Sequence, residues 1–334
     1  MVGRKRTKKL SITPAKISAP HRESYRRGRL FQILDRARRE RVIFIAAPAG
    51  AGKTSLVTSY LAARRLPVLW YNVDARDADV ANLFEYLSMA ARAANGRRKL
   101  ELPVFRAETQ AGAGAFARTF FEALCRQRPA PSAIVFDDYQ EAQSERWDEV
   151  IREALRALPK GISAIIISRA QPPPFLARHV AAREMTVLGW DDLRLTTPEI
   201  VGLVRVHRPD LRGAHLKARL PRILELANGW AAALTLLLDD RAALDMDARG
   251  IEEFSQRLFD YFATEVFSKA TASQRAFLLR TSVAPSLTAE LAARLTNSSD
   301  AGSRLADLER RSFLIQRLGT SKTYRYHPLL RGFL

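Results

Sequence analysis

The residues AAPAGAGKTS at 46–55 are the most informative about the fold, because they directly continue the apolar run VIFIAA at 42–47. A short continuous apolar run is typical of a strand that is buried on both faces. Glycines after such a strand let backbone N–H groups converge on phosphates, a lysine reaches the β and γ oxygens, and a hydroxyl ligates Mg²⁺ at a helix N-terminus. The stretch therefore has the arrangement of a P-loop, with Ala47 in place of the usual first glycine.

The P-loop supplies most of the candidate nucleotide-binding residues. Lys53 is also a candidate catalytic residue, and Thr54 is a candidate ligand of Mg²⁺. The alternative, a glycine-rich turn with an accidental lysine, does not explain why the motif follows a buried strand. The predicted nucleotide contacts are Ala47, Pro48, Ala49, Gly50, Ala51, Gly52, Lys53, Thr54 and Ser55.

Four further apolar runs alternate with stretches that have helical spacing. Strand alternating with helix predicts an α/β fold, a P-loop NTPase parallel sheet with helices on both faces. The runs are PVLWYNV (67–73), SAIVFD (132–137), ISAIIIS (162–168) and EMTVL (184–188), and the helices are 54–65, 80–94, 114–127 and 145–157.

The pattern changes after Leu193, where Thr196 or Thr197 is the predicted N-cap of a helix with Pro198 in its first turn. A small helical domain follows, and then a winged-helix domain of four helices near 251–268, 272–281, 288–296 and 301–311 and two strands, 313–318 and 323–327, joined by the turn GTSK. The predicted domains are a basic flexible leader (1–28), a nucleotide-binding domain (29–195), a helical domain with connector (196–250) and the winged helix (251–334). Because the sequence stops inside a helix, we expect a C-terminally truncated part of a longer protein.

Two later strands end in residues that suit phosphate chemistry. Asp137 is a candidate Mg²⁺ ligand, and Asp138 is a candidate catalytic residue that polarises the attacking water. Arg169 follows the next strand, where its guanidinium is able to sense a γ-phosphate. The alternatives are an Asp pair without a site and a surface arginine that caps a strand.

Composition narrows the class of protein. With 47% hydrophobic and 27% charged residues, the sequence is neither disordered nor fibrous. The net charge of +19 favours a polyanionic partner, but residues 1–41 hold 14 Lys/Arg against 3 Asp/Glu, so most of the excess lies in the leader. No run approaches the roughly 20 apolar residues of a membrane span, and no secretory signal is recognisable. We expect a cytoplasmic protein with a buried, structural thiol at its single cysteine, Cys125.

Beyond the P-loop, the order and spacing of several motifs resemble the STAND signal-transducing ATPases, and within them the MalT-like regulators often joined to a LuxR-type DNA-binding domain. The resemblance covers nearly the whole chain. Its motifs are RRGRL (26–30), APAGAGKTS (47–55), WYNVDARDADVANLFEYL (70–87), IVFDDYQ (134–140), IIISRAQPPP (165–174) with FLARH (175–179), LRLTTPEI (193–200), ANGWAAALTLL (227–237) and YRYHPLLRGFL (324–334).

The resemblance implies a transcriptional switch with ATP or ADP and Mg²⁺ as cofactors and slow ATP hydrolysis. ADP would hold a closed monomer, and ATP with an inducer would favour an open homo-oligomer. The inducer would bind a sensor, and DNA a helix-turn-helix domain, that this sequence does not contain. Arg27, Arg29, Arg169, Gly229 and His327 match positions that implicate them in nucleotide contacts, and Trp230 matches the tryptophan of the Gly-Trp motif in the small helical domain. The alternatives are solvated arginines, a core tryptophan and a histidine at a strand end.

Two other functions remain open at this point. A DNA-acting ATPase, such as a helicase loader, would bind DNA through the leader and the winged helix, with Arg304, Arg310 and Arg311 entering a groove. Leu305, Leu308 and Phe313 argue that this helix is instead committed to packing. A small-molecule P-loop kinase would need an acceptor pocket and a lid, which residues 198–334 do not resemble.

Overall fold

Five strands form one sheet in the order β2-β3-β4-β1-β5 in the computed structural model of the chain. The pairs β1–β5, β2–β3 and β3–β4 are parallel. All residues of β1, β3 and β4 are buried, because nearly all their side chains are apolar on both faces. The predicted α/β fold with a parallel sheet is confirmed. The strands are β1 (Val42–Ala46), β2 (Val68–Asn72), β3 (Ser132–Asp137), β4 (Ile162–Ser168) and β5 (Met185–Leu188).

The structure describes residues 15–20, 25–95, 100–142, 144–239, 244, 248–311, 314–318 and 321–334. The chain divides into two compact units, residues 1–21 with 61–166 and residues 22–60 with 167–334. The second unit contains the P-loop and every described residue after β5. Contacts between the P-loop and the C-terminal segments therefore lie within one compact unit.

Helices separate the strands where the sequence pattern predicts them. In α5, the Ser144 hydroxyl accepts the Trp147 backbone N–H at 3.1 Å and so caps the helix, whose apolar face is buried. Cys125 on α4 is buried as predicted, and burial raises its pKa to about 11, so the thiol stays protonated at neutral pH. The helices are α1 (Gly28–Ala37), α2 (Lys53–Ala63), α3 (Ala81–Asn95), α4 (Ala113–Arg126), α5 (Glu145–Arg156) and α6 (Ala177–Ala181).

A helical segment follows β5. Thr196 is the N-cap of α8, and its backbone N–H donates to the Glu199 carboxylate at 3.0 Å. Helix α9 ends at Asn228 with φ +46°, and Gly229 follows with φ +75°, so two left-handed residues turn the chain into α10. The helices are α7 (Trp190–Leu193), α8 (Thr197–His207), α9 (Gly213–Ala227) and α10 (Ala231–Leu238).

The last segment has the element order predicted for a winged helix, with an antiparallel two-stranded sheet. After α11, residues Ala263–Phe267 form a π-helical turn. Most of the predicted connector, and Gly319 and Thr320 of the predicted turn, lie outside the described residues. The elements are α11 (Ala248–Phe262), α12 (Ala272–Thr281), α13 (Ala289–Thr296), α14 (Ala301–Arg310), β6 (Ile315–Arg317), β7 (Tyr324–Tyr326) and α15 (Pro328–Phe333).

Part of the predicted leader is packed against the fold. Ala15–Ile17 forms a short 3₁₀ helix in which Lys16 is 9% exposed. Its Nζ lies 2.6 Å from the fully buried carboxylate of Asp77 and 2.8 Å from Asp74. The Asn72 amide at the end of β2 donates to the Ala15 carbonyl at 2.6 Å. The prediction of a flexible leader is therefore wrong for these residues, because an ion pair inside the first unit holds them.

Candidate nucleotide-binding site

The P-loop occupies the turn between β1 and α2, as its sequence predicts. Gly50 and Gly52 have φ values of +72° and +81°, which side-chain-bearing residues rarely adopt. Lys53 begins α2, is 8% exposed, and donates from Nζ to the carbonyl oxygens of Ala47 at 2.7 Å and Pro48 at 2.8 Å. The lysine thus points back across its own loop, and its predicted contact with phosphates stays a prediction.

Thr54 lies in the first turn of α2, where backbone N–H groups lack helical partners. Asp137 ends β3, is 4% exposed, and accepts the Asp138 backbone N–H at 3.0 Å. Asp138 has φ +53° and accepts from the Gln140 side-chain amide at 3.1 Å. Hydroxyl and carboxylate oxygens are donors that suit Mg²⁺, which also takes phosphate oxygens and water. Thr54 and Asp137 belong to different compact units, and their joint role in holding Mg²⁺ stays a prediction. Within the described part of the chain, no group of three or more His, Cys, Asp and Glu side chains could hold a metal ion.

Arg169 follows β4 next to the P-loop, since the Ala47 backbone N–H donates to the Ser168 carbonyl at 3.3 Å. Its Nη1 lies 3.0 Å from Oε2 of Glu265, in the π-helical turn that follows α11. The Lys269 ammonium donates to the same carboxylate oxygen at 2.9 Å. The predicted γ-phosphate sensor is therefore paired with a carboxylate from the winged-helix segment. The sequence does not predict that Glu265 pairs with Arg169, because the two residues are 96 positions apart and no local pattern indicates such a contact.

Trp230 connects the start of α10 to the P-loop. Its indole Nε1 donates to the Ala49 carbonyl at 3.0 Å, and its ring stacks on Phe262 of α11 with centroids 5.1 Å apart. The Ala232 backbone N–H donates to the Gly50 carbonyl at 2.9 Å. A Cβ on Gly50 would lie only 2.5 Å from the Ala232 Cβ, so only glycine fits this contact. Trp230 is a buried core residue, as the alternative of a core tryptophan has it, and its indole N–H also binds the P-loop.

The Gly229 carbonyl accepts the Leu195 backbone N–H at 2.8 Å. A Cβ on Gly229 would lie 2.5 Å from the Arg194 side chain. Gly229 therefore acts through backbone geometry at the turn before Trp230, and its predicted contact with nucleotide stays a prediction.

Arg27 and Arg29 bind the start of the helical segment. Arg27 is 6% exposed, and its guanidinium donates to both Glu199 carboxylate oxygens, at 3.2 and 3.0 Å, and to the Leu193 carbonyl at 2.8 Å. Arg29 donates to the Asp192 carbonyl at 2.7 Å. Arg27 is therefore buried and paired with Glu199, so the alternative of a solvated arginine is wrong for this residue.

A cavity of about 360 Å³ opens beside the P-loop, within the second unit. It is mostly apolar, with one phenol ring, one imidazole and one guanidinium, and it reaches the first turn of α2. A planar, partly apolar group such as a purine base suits these walls. The lining includes Tyr25, Arg27, Gly52, Ser55, Leu203 and Leu234.

His327 lies at the junction of β7 and α15. Its Nδ1 accepts the Leu329 backbone N–H at 3.3 Å and so caps α15, and its ring packs edge-on against Trp190 with centroids 5.6 Å apart. Burial first, and the charge of Arg194 second, lower its pKa to about 4. The imidazole is therefore neutral at pH 7 and offers a hydrogen bond without a charge.

The buried pair of Arg27 and Glu199 is expected to stabilise the fold. We expect Glu199→Gln to lower the free energy of unfolding by about 2 kcal/mol at pH 7, since it weakens hydrogen bonds to a buried guanidinium. Burial would raise the pKa of Glu199, but hydrogen bonds from Arg27 and the Thr196 N–H bring it below 4.5. The carboxylate therefore stabilises the fold above pH 4.5, and this contribution is lost as the pH falls through the lowered pKa.

Urea unfolding at several pH values measures this effect. The difference between wild type and Glu199→Gln should shrink below pH 4.5. The matched control is Glu225→Gln, which removes an exposed carboxylate paired with Arg222 and should cost less than about 0.5 kcal/mol. A difference that stays constant down to pH 3 would contradict the assignment.

Helix α14, the candidate DNA-reading helix, packs inward. Leu305 and Leu308 are at most 1% exposed, as predicted, while Phe313 lies outside the described residues. Its arginines pair with carboxylates of the same helix and its N-cap: Arg304 with Asp300, and Arg310 and Arg311 with Asp307.

In the ranges that the structure describes, no helix is long and apolar enough to cross a bilayer.

Two family models match the chain. The one described as "AAA ATPase domain" matches residues 21–167, and the one described as "MalT winged helix domain" matches residues 263–334. The structure of the Walker-type ATPase PABY2304 of Pyrococcus abyssi superposes with a TM-score of 0.64 at 12% identity, covering 93% of this chain and 98% of that one. At this identity the likeness concerns the fold alone.

Curated relatives match over nearly the whole chain. The HTH-type transcriptional regulator MalT of Cronobacter sakazakii is 28% identical over 335 residues, and that of Serratia proteamaculans is 29% identical over 333 residues. Each alignment covers 97% of this chain and 36% of the relative. The chain therefore spans about a third of the length of these relatives, and the resemblance that its motifs predicted is confirmed.

Proposed function

We propose that this chain is a nucleotide-controlled switch. The proposal is supported by the matches of residues 21–167 to the AAA ATPase domain model and of residues 263–334 to the MalT winged helix domain model. ADP would hold a closed monomer, and ATP would favour an open form that assembles with further copies of the chain. Hydrolysis would be slow and would reset the switch.

One observation carries this proposal: the P-loop is bonded to the segments that would have to move. Trp230 donates to the Ala49 carbonyl, the Ala232 N–H donates to the Gly50 carbonyl, and Trp230 stacks on Phe262 at the end of α11. A change in the conformation of the loop would therefore repack the start of α10 and the end of α11. Packed contacts of this kind have discrete arrangements, which a switch needs.

Each candidate site residue would have a role that follows from its chemistry. Lys53 and the loop N–H groups would bind the phosphates, while the apolar cavity beside Ser55 would take the base. Thr54 and Asp137 would hold Mg²⁺, which neutralises phosphate charge when bound. Asp138 would accept a proton from or orient the attacking water, and Arg169 would read the γ-phosphate. The neutral imidazole of His327 would donate a hydrogen bond to nucleotide, as the resemblance implies.

The role in the cell is proposed from the relatives. These relatives are HTH-type transcriptional regulators, so we propose that this switch serves regulation of transcription. An inducer and DNA would be recognised by parts of such regulators beyond the third that this chain spans.

The proposal is tested on the purified chain. Acid extraction and chromatography should detect co-purifying ADP at close to one equivalent. Light scattering should find a monomer with ADP and a larger species with a non-hydrolysable ATP analogue, aided by the inducer where it is known. A chain that neither retains nor binds adenine nucleotide contradicts the proposal, whereas binding with one mass under all conditions contradicts the oligomer switch alone.

A further inference from the structure

The ion pair between Arg169 and Glu265 joins the candidate γ-phosphate sensor to the winged-helix segment. The two groups are 3.0 Å apart, and their side chains are 26% and 30% exposed. A guanidinium that holds one carboxylate has the same donors that it would offer to a phosphate oxygen. The carboxylate of Glu265 is therefore chemically equivalent, for Arg169, to an anionic oxygen of a ligand.

The backbone around Glu265 is unusual. Residues Ala263–Phe267 form a π-helical turn, with the Ser268 N–H donating to the Ala263 carbonyl at 2.8 Å. A π-helical turn inserts an extra residue into a helix and occurs frequently at functional sites. Here it occurs in the turn that carries Glu265, directly after the helix whose last residues contact the P-loop.

Tyr261, four residues earlier, lies on the other side of the same contact. A Cβ on Gly50 would be 2.7 Å from its hydroxyl oxygen, and its ring meets Trp230 edge-on with centroids 5.2 Å apart. Burial, with the nearby carboxylate of Glu265 as the next cause, raises the pKa of Tyr261 to about 12. One short segment therefore contacts the P-loop through Tyr261 and the sensor through Glu265.

We propose that Glu265 is a specificity-determining residue: an internal competitor that occupies Arg169 and must be displaced before this arginine can bind a γ-phosphate. The inference rests on the proposed nucleotide switch and names how that switch distinguishes ATP from ADP. ADP has no γ-phosphate and leaves the Arg169–Glu265 pair intact. ATP gains the contact with Arg169 only at the cost of that pair, so the released π-helical turn couples ATP binding to movement of the winged-helix segment.

The test measures dissociation constants for ADP and for a non-hydrolysable ATP analogue on the full chain. We expect Glu265→Gln to tighten binding of the analogue by about tenfold and to change ADP binding by less than about twofold, which is a coupling of ordinary size. The matched control is Glu253→Gln, which removes a carboxylate paired with Arg249 on α11 and should change neither constant. Thermal melting verifies that each variant is folded.

A general charge effect is separated from competition by a double-mutant cycle. Removing any negative charge near phosphates favours ATP, and such an effect would persist in an Arg169→Gln background. Competition predicts that Glu265→Gln has no effect in that background. Lys269→Gln removes the second partner of the Glu265 carboxylate, which should then hold Arg169 at least as strongly. The affinity for the ATP analogue should therefore stay the same or fall.

The outcomes distinguish this inference from the proposed function. An unchanged ratio of ATP-analogue to ADP affinity in Glu265→Gln, or an increase that survives Arg169→Gln, overturns the inference while the switch stands. A wild-type chain that binds neither nucleotide overturns both.

Discussion

Replacing Lys53 with alanine is expected to weaken binding of ATP by more than about 100-fold and binding of ADP by at least about tenfold. One charge-assisted hydrogen bond contributes about 1.5 to 3 kcal/mol, and the lysine would reach two phosphates of ATP but only one of ADP. The ammonium is buried and already points across the P-loop at the Ala47 and Pro48 carbonyls. Calorimetric titration with each nucleotide measures the loss. Nucleotide that co-purifies with the wild type should be absent from the variant.

Lys53 also stabilises its own loop through these two hydrogen bonds, so loss of folding must be separated from loss of nucleotide binding. Lys53→Met removes the charge but keeps most of the apolar stem, and it should lose nucleotide affinity as the alanine variant does. Lys160→Ala, an exposed lysine in the turn before β4, should leave both affinity and melting temperature unchanged. Retention of nucleotide by a folded Lys53 variant would refute the assignment of the site.

Trp230→Ala is expected to lower the free energy of unfolding by about 3 to 5 kcal/mol, the usual loss for a large aromatic residue in a core. Trp230 is fully buried, and its ring packs against Tyr261 and Phe262. Urea unfolding measures the loss. We also expect bound ADP to dissociate at least about tenfold faster, because about 1.4 kcal/mol of stabilisation lost from the bound state corresponds to a factor of ten.

Two further variants separate stability from control of the P-loop. Trp230→Phe keeps an aromatic ring but loses the hydrogen bond to the Ala49 carbonyl, so it should cost about 1 kcal/mol and still speed ADP release. Trp147→Ala deletes a fully buried tryptophan of α5 and should cost as much stability as Trp230→Ala without changing the rate. Equal rates of ADP release in wild type and Trp230→Phe would contradict a role for the indole N–H.

The sequence was sufficient for the fold because its signals are local. A buried strand such as β1 is a continuous apolar run, and Gly50 and Gly52 have the positive φ values that a phosphate-binding turn requires. The N-cap at Thr196 and the helix stop at Asn228 likewise depend on neighbours within a few residues. Periodicity and turn chemistry report such features directly.

The partners of the candidate site residues were not predictable in the same way. Arg27 finds Glu199 across 172 residues and Arg169 finds Glu265 across 96, and nothing in either local pattern encodes these pairs. The helix predicted near 251–268 also includes the π-helical turn at Ala263–Phe267, because no local sequence signal marks the inserted residue. Tertiary packing decides such contacts, and it selects among residues that look alike in sequence.

The docked Lys16 changes how the basic leader can be separated from the fold. Cutting the chain after residue 28 would remove the cation that neutralises the fully buried Asp77, so a loss of binding to any polyanion would be confounded with damage to the domain. Residues 1–14 hold five Lys/Arg and no Asp/Glu, so a chain that begins at residue 15 loses these five charges and keeps Ala15–Ile17. The leader is therefore best shortened in two steps, of which only the second removes the lysine that pairs with Asp77.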